Sequence, residues 1–232
     1  MALCAGMRSL RMSLLPDQCV FCRDALRDAG ICDRCRALLA HAEPVCERCA
    51  APLAAAQASG VTCGRCQSRA PEYDKAAAAL NYCFPIDAAL KAFKFDGHLH
   101  YARAFASLLL PHLREHFTAA DALIPVPLHR WRHARRGFNQ ATEICRVLAR
   151  QSGLRMLNVV RRVRATPPQS GLDALQRRRN LSKAFALSRP LACRRPVIVD
   201  DIMTTGETCN QVARVLIAAG AESVGVLVVA RA

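Results

Sequence analysis

The densest chemistry in the chain lies in twelve consecutive residues, Val197-Ile-Val-Asp-Asp-Ile-Met-Thr-Thr-Gly-Glu-Thr208. An apolar run, read as a buried strand, delivers two adjacent acids, Asp200 and Asp201, to its carboxyl end. Ligands of open α/β sheets bind at that end. Small and hydroxyl residues follow, Thr204, Thr205, Gly206, Glu207 and Thr208, and then a helix begins. Free N–H groups at a helix start, together with Thr hydroxyls, cradle a phosphate monoester. Gly206 lets the backbone approach closely with a positive φ. Carboxylates repel a phosphate, so the two acids must hold something else, such as the paired hydroxyls of a ribose. The plainer reading, a strand–turn–helix with a capping Thr, leaves the paired acids unexplained.

A second chemistry is carried by cysteine. Eight of the 13 cysteines form four C-x-x-C pairs: Cys19/Cys22, Cys32/Cys35, Cys46/Cys49 and Cys63/Cys66. Such a turn points two thiolates at one ion, and two turns complete a tetrahedral Zn²⁺ site with no open position, hence a structural one. Nine residues separate the first two pairs and 13 the last two, and both gaps suit a hairpin with a knuckle at each end. The simplest pairing is sequential, giving two zinc ions. An interleaved pairing, first with third and second with fourth, stays open. Disulfides need an oxidising compartment, which nothing here suggests. Few large apolar residues surround the pairs, so metal binding is expected to supply much of the folding energy. Cys83, Cys145 and Cys209 are expected to be buried small hydrophobes.

The elements that position these groups follow from periodicity. Residues 76–84 read as strand, and Ile86, Ala89, Leu90 and Phe93 take helical spacing that stops before Gly97. A second helix is expected over 99–117, with Phe105, Leu108, Leu109 and Leu113 on one face. Residues 121–127 read as a buried strand running into a loop. Residues 139–151 read as an amphipathic helix closed by Gly153, with Asn139 as its cap. Residues 207–219 form a helix ended by Gly220, and 224–229 a last apolar strand. Strand–helix–strand at this spacing means a parallel sheet flanked by helices, an α/β fold. Residues 161–183 are polar and Arg-rich with little periodicity and are expected to be mobile, as a functional lid or a disordered segment.

Composition bounds the rest. Hydrophobic residues are 52% of 232, enough for a real core, and no apolar run reaches the 18 residues of a membrane span. The first fifteen residues lack the apolar stretch of an export signal, so a cytoplasmic protein is expected. The net charge is +15, and the excess lies in one stretch. Residues 129–195 hold seventeen Lys and Arg against two acids, Glu143 and Asp173, and the remainder is balanced at sixteen of each sign. Such a segment meets polyanions. Aromatics are only 5%, which counts against an extended base-stacking channel. The lone histidines, His98, His100, His112, His116, His129 and His133, are expected to be surface or capping groups.

The twelve-residue segment resembles the phosphoribosyl pyrophosphate (PRPP) signature of type I phosphoribosyltransferases, with no departure. The likeness extends through the four C-x-x-C pairs, Lys94-Phe-Asp-Gly97, Pro125-Val-Pro-Leu-His-Arg130, Arg136-Gly-Phe-Asn-Gln140, Thr166-x-x-Gln169 and Arg179-Asn-Leu181. Over nearly the whole chain after Pro16 it is similar to the ComF/GntX family, zinc-ribbon phosphoribosyltransferase-domain proteins linked to DNA uptake and natural transformation. The resemblance implies a double zinc-ribbon domain over 16–70 and a type I phosphoribosyltransferase-like domain over 73–232. It implies that Asp200 and Asp201 hold the ribose as the catalytic pair. Val199, Ile202, Met203 and the residues from Thr204 through Thr208 would complete the PRPP site, with Mg²⁺ accompanying the ligand. Pro127, Arg130, Arg135 and Arg136 fall where the family binds pyrophosphate, and guanidinium groups suit it. Arg161, Gln169 and Arg179 fall in its flexible loop. Partners implied are PRPP, single-stranded DNA, and DNA-uptake or recombination proteins such as a membrane-associated helicase. Two functions stay open: a PRPP-binding protein of DNA uptake, with transfer retained or lost, and a metabolic phosphoribosyltransferase with the ribbons as a docking module. A glutamine-dependent amidotransferase is disfavoured, because the cysteine-paired region occupies the end where its catalytic cysteine would stand.

Overall fold

The apolar run that begins at Pro196 forms the middle strand of a five-stranded sheet. The computed structural model describes residues 17–26, 30–41, 44–54, 61–95, 100–128, 137–163 and 184–232. In chain order the elements are β1 (Asp17–Gln18), β2 (Ala25–Leu26), α1 (Asp33–Ala37), α2 (Gly64–Ser68), β3 (Lys75–Asn81), α3 (Ile86–Phe95), α4 (Tyr101–His116), β4 (Ala122–Pro125), α5 (Gln140–Ser152), β5 (Arg155–Met156), β6 (Val160–Arg162), β7 (Phe185–Leu187), β8 (Pro196–Met203), α6 (Glu207–Ala218) and β9 (Gly225–Arg231). The main sheet is all parallel, in the order β3-β9-β8-β4-β5. Each parallel crossover needs a helix, and the periodicity supplies one between each pair of long strands.

Both faces of the sheet are covered, so its strands are apolar through their middle residues. Alternation still assigns the faces. Val197, Val199, Leu227 and Val229 pack under α3, α4 and α5 with Phe93, Phe105, Leu109, Ile144 and Leu148. Ile198, Val226 and Val228 pack on the other face with Val212 and Leu216 of α6. Burying each such side chain is worth about 1.5–3 kcal/mol. Asn139 caps α5 through its side-chain oxygen, accepting from Ala141 N at 3.1 Å, and Gly153 ends it at φ 77°.

The cysteine-rich segment straddles edge strand β3. Cys19, Val20, Ile31 and Leu39 join the core under α3 and α4. Cys46, Cys49, Ala50 and Cys66 join the core on the α6 face. The chain between them runs along β3, where Asn81 N donates to Ala40 O (3.0 Å) and Ala76 N to Arg48 O (2.9 Å). That covers an edge otherwise open to foreign strands.

Three expectations change. Cys83 is exposed, not buried, because β3 ends at Asn81 and the cysteine falls in the turn beyond the sheet. The polar stretch does not begin as loop: Arg161 lies in β6, paired antiparallel to Ala186 of β7, a ladder between segments too short to show a period. His112 and His116 are half-buried one turn apart on α4, and burial lowers the pKa of each.

Candidate functional site

β8 outlasts its neighbour β4. The pairing stops at Pro125↔Val199, with a last bond from Val126 N to Val199 O, while β8 continues through Asp200 and Asp201 to Met203. On that side no strand among the described residues pairs with β8 beyond Val199, and a cleft opens. The connections make this the switch point of the sheet. From β4 the chain crosses by α5 on one face to β5, and from β8 it crosses by α6 on the opposite face to β9. A crevice forms where neighbouring crossovers diverge, and ligands bind there.

Lys94 and the residues from Asp200 through Cys209 line this cleft, whose volume is about 200 Å³. Asp200 and Asp201 stand within the strand rather than after it. The Asp201 N–H donates to Asp200 Oδ1 (2.9 Å) and the Ile202 N–H to Asp201 Oδ1 (2.8 Å). Burial, and then the charge of Asp201, push the Asp200 carboxyl well above the usual carboxylate range, against a small opposing pull from Lys94. Gly206 takes φ 73° at the start of α6, as its position in the loop requires. A Cβ there would also lie 3.0 Å from the Tyr73 hydroxyl. The Glu207 N–H donates to Thr205 Oγ1 (3.4 Å), and the Glu207 carboxylate accepts from Gln211 Nε2 (2.8 Å).

The expected PRPP-site residues from Val199 through Thr208 therefore form one continuous strand end, loop and helix start. Pro127 follows the end of β4, beside Val126, whose carbonyl accepts from Asn139 Nδ2 (2.9 Å). Arg130, Arg135, Arg136, Gln169 and Arg179 lie outside the described residues, as do Asp96, Gly97 and Thr166. Sequence reasoning missed Lys94 as a cleft residue. The signal was present: a lysine in the last turn of an amphipathic helix, within the Lys94-Phe-Asp-Gly97 match. It also missed Arg65, Tyr73 and Arg231, which stand behind the loop.

The cysteines resolve into two groups, Cys19, Cys22, Cys32 and Cys35, and Cys46, Cys49, Cys63 and Cys66. Within each group the four sulfurs lie within 4.8 Å of one another. The pairing is sequential. Cys22 Sγ and Cys32 Sγ are 3.6 Å apart, and Cys49 Sγ and Cys63 Sγ 3.7 Å. With Zn–S bonds of about 2.3 Å a tetrahedral edge is about 3.8 Å, so both groups fit zinc. Main-chain N–H groups aim at the sulfurs, Cys32 N at Cys19 Sγ (3.5 Å) and Cys63 N at Cys46 Sγ (3.2 Å). Burial raises the Cys19 thiol, but N–H donors from Cys32, Cys22 and Phe21 outweigh it and bring the pKa to about 6. Donors from Cys63, Cys49 and Arg48 likewise outweigh burial and bring Cys46 to about 7. The thiolate is the form that binds metal.

Fold and site together define a parallel-sheet phosphoribosyl transferase-type domain carrying two tetracysteine ribbons. Residues 10–67 match the double zinc ribbon domain family and residues 134–232 the phosphoribosyl transferase domain family. The chain is 34% identical to competence protein F of Haemophilus influenzae over 232 residues, covering 95% of this chain and all of that protein. It is 36% identical to DNA utilization protein YhgH of Escherichia coli O6:H1 over 223 residues, covering 93% of this chain and 97% of that one. It is 30% identical to competence protein ComFC of Streptococcus pneumoniae over 145 residues, covering 61% and 63%. The chain belongs to the ComF family, the family of competence protein F and YhgH.

Proposed function

We propose that the chain binds PRPP with Mg²⁺ in the switch-point cleft and serves the uptake or use of DNA, a reading supported by relatives named for competence and for DNA utilization. The observation that carries the reading is the placement of the acid pair and the loop. Asp200 and Asp201 line one part of a cleft whose other part is a hydroxyl-rich loop opening a helix. In this reading the two carboxylates accept hydrogen bonds from the ribose hydroxyls, and N–H groups and hydroxyls from Thr204 through Thr208 hold the 5-phosphate. Pro127, Arg130, Arg135 and Arg136 are assigned to the pyrophosphate by the family resemblance. Gln169 and Arg179 fall in the stretch that the family resemblance assigns to a loop over the ligand, and Arg161 lies on β6, shortly before that stretch. Mg²⁺ supplies neutralisation of the pyrophosphate charge. Transfer needs no side-chain nucleophile: the C1–oxygen bond to pyrophosphate breaks, an acceptor attacks C1, and the acids offset charge developing on the ring.

Supporting the DNA side is the concentration of seventeen cations within residues 129–195. All twelve cysteines among the described residues are free thiols, which suits a reducing cytoplasm. No helix among the described residues is long and apolar enough to cross a membrane.

The test is calorimetric titration of Mg²⁺–PRPP into the zinc-loaded chain and into Asp200→Asn/Asp201→Asn. Micromolar binding, weakened at least a hundredfold by the double change, is the expected outcome, because two charged hydrogen-bond acceptors are each worth about 1.5–3 kcal/mol. A folded chain that binds no PRPP overturns the reading.

A further inference from the structure

We propose that the second ribbon, Cys46, Cys49, Cys63 and Cys66, is a clamp that sets the anion-binding loop, with Arg231 and Arg65 as positioning residues. Zinc retention at this ribbon and PRPP binding at the loop are then coupled. The proposal rests on the reading of residues 204–208 as the phosphate cradle.

A cradle needs its N–H groups turned toward the ligand. In a trans peptide the N–H and the preceding C=O point opposite ways. Holding the carbonyls outward therefore holds the N–H groups inward. Here three successive carbonyls are held. Arg231, on the last strand, donates from Nη1 to Met203 O at 3.0 Å and to Thr204 O. Arg65, on the knuckle helix α2, donates to Thr205 O. The corresponding N–H groups are those of Thr204, Thr205 and Gly206.

Arg231 ties this geometry to the metal. Its Nε donates to Cys49 O at 3.0 Å, and the side chain is buried, with residue exposure of 6%. One rigid guanidinium thus joins a zinc knuckle to the loop. It hydrogen-bonds four main-chain carbonyls, of Cys49, Met203, Thr204 and Ala232. A buried cation satisfied by dipoles leaves a positive field behind the loop, which favours an anion in front of it.

Other contacts act from the same side. Cys49, Arg65, Cys66, Tyr73, Thr205 and Gly206 line one crevice between ribbon and loop. Just after the ribbon, Glu72 N donates to Asn210 Oδ1 (2.6 Å), and Glu72 Oε1 accepts from Arg214 Nε and Nη2 (3.2 and 2.8 Å). These three bonds pin α6, whose first turn completes the cradle. The first ribbon serves as an internal control. It packs on the opposite face, where Arg36 Nη2 donates to Ser107 Oγ of α4 (3.2 Å) and Tyr101 Oη to Val20 O (3.4 Å).

Coupling free energy is reciprocal: whatever zinc at the second ribbon does for PRPP, PRPP does for zinc. The experiment uses the full zinc-loaded chain in four forms: wild type, Arg65→Ala, Arg231→Lys and Arg36→Ala. Mg²⁺–PRPP affinity is measured by calorimetry, and zinc content by metal analysis. Cysteine alkylation under a graded chelator is then read residue by residue by mass spectrometry, with and without PRPP. Arg65→Ala removes an exposed side chain and tests the clamp even if Arg231→Lys does not fold. The expected result is two zinc ions in wild type, Arg65→Ala and Arg36→Ala. PRPP binding should be weakened about tenfold in Arg65→Ala and unchanged in Arg36→Ala, within the usual range of coupling. PRPP should protect Cys46, Cys49, Cys63 and Cys66 but not the first four cysteines, and Arg65→Ala should erase much of that protection. Wild-type affinity in Arg65→Ala, or protection by PRPP that is absent or equal at both ribbons, overturns the clamp alone. A wild type that binds no PRPP overturns the reading of the loop and the clamp with it.

Discussion

Asp200 is an acid whose ionised form folding disfavours. Burial, and then Asp201 beside it, raise its folded pKa above the unfolded value of about 3.9. An acid with a raised folded pKa contributes stability that is complete below the unfolded pKa and is lost as pH rises through the folded one. Above the unfolded value this carboxyl therefore opposes folding, and a ligand that hydrogen-bonds it offsets the cost. Asp200→Asn keeps an acceptor oxygen for the Asp201 N–H and removes the charge. It is expected to raise the melting temperature near pH 7.5 by a few degrees, about 1 kcal/mol on the scale of stability–function trade-offs, while weakening PRPP binding about tenfold or more. The gain should shrink as pH falls toward the carboxylate range. Thermal melts from pH 5 to 8 check this, and an Asn variant less stable at pH 7.5 contradicts it. The acid pair was legible in the sequence because two adjacent acids at the end of an apolar run have few structural uses. Arg65 and Arg231 were not, because a guanidinium that bonds main-chain carbonyls leaves no residue-type pattern.

At the scale of elements, the β8–α6–β9 unit carries the site, and its close packing is exposed at Gly225. That residue opens β9 and pairs with both Val197 and Lys75. A Cβ there would sit 2.5 Å from Phe117 Cε1 and 3.2 Å from Val197 Cγ2. The ring lies between α4 and β4 and must shift to admit a methyl group. Gly225→Ala is expected to destabilise the chain by about 1–3 kcal/mol, the usual cost of overpacking. Urea denaturation reads it as a lower midpoint with unchanged slope. The four long helices were legible because each repeats its apolar residues over about two turns or more, as with Ala141, Ile144, Cys145 and Leu148 on α5. β5, β6 and β7, at two or three residues each, show no period, and β6 finds its partner far along the chain.

The whole molecule joins ribbons and sheet in shared cores. Cys19, Ile31 and Leu39 pack with Phe93 and Phe105, and Cys46 and Cys66 pack with Ile198 and Val212. Metal removal therefore withdraws buried neighbours from both faces of the sheet and uncovers edge strand β3. The zinc-loaded chain is expected to melt in one transition, and an excess of chelator to lower it by roughly 10 °C or more, since structural zinc carries several kcal/mol of folding energy. Calorimetry checks this. Two transitions, the upper one indifferent to chelator, would show ribbons that fold apart from the sheet.

Short-range spacing by itself determined the eight thiolates in four chelating pairs, the strand–acid–loop–helix segment and the parallel α/β class. Each is set by covalent spacing over a dozen residues or fewer, or by a repeated period. Tertiary structure alone decided three further things. A C-x-x-C pair supplies only two ligands, so which pair completes each tetrahedron waited on how the hairpins close. A run of apolar residues reads the same on either face of a doubly covered sheet, so the switch point between β4 and β8 appeared only with strand order. And the carbonyls of Met203, Thr204 and Thr205 meet guanidinium groups from residues 27 and more positions away in the chain, a meeting that only the folded backbone arranges.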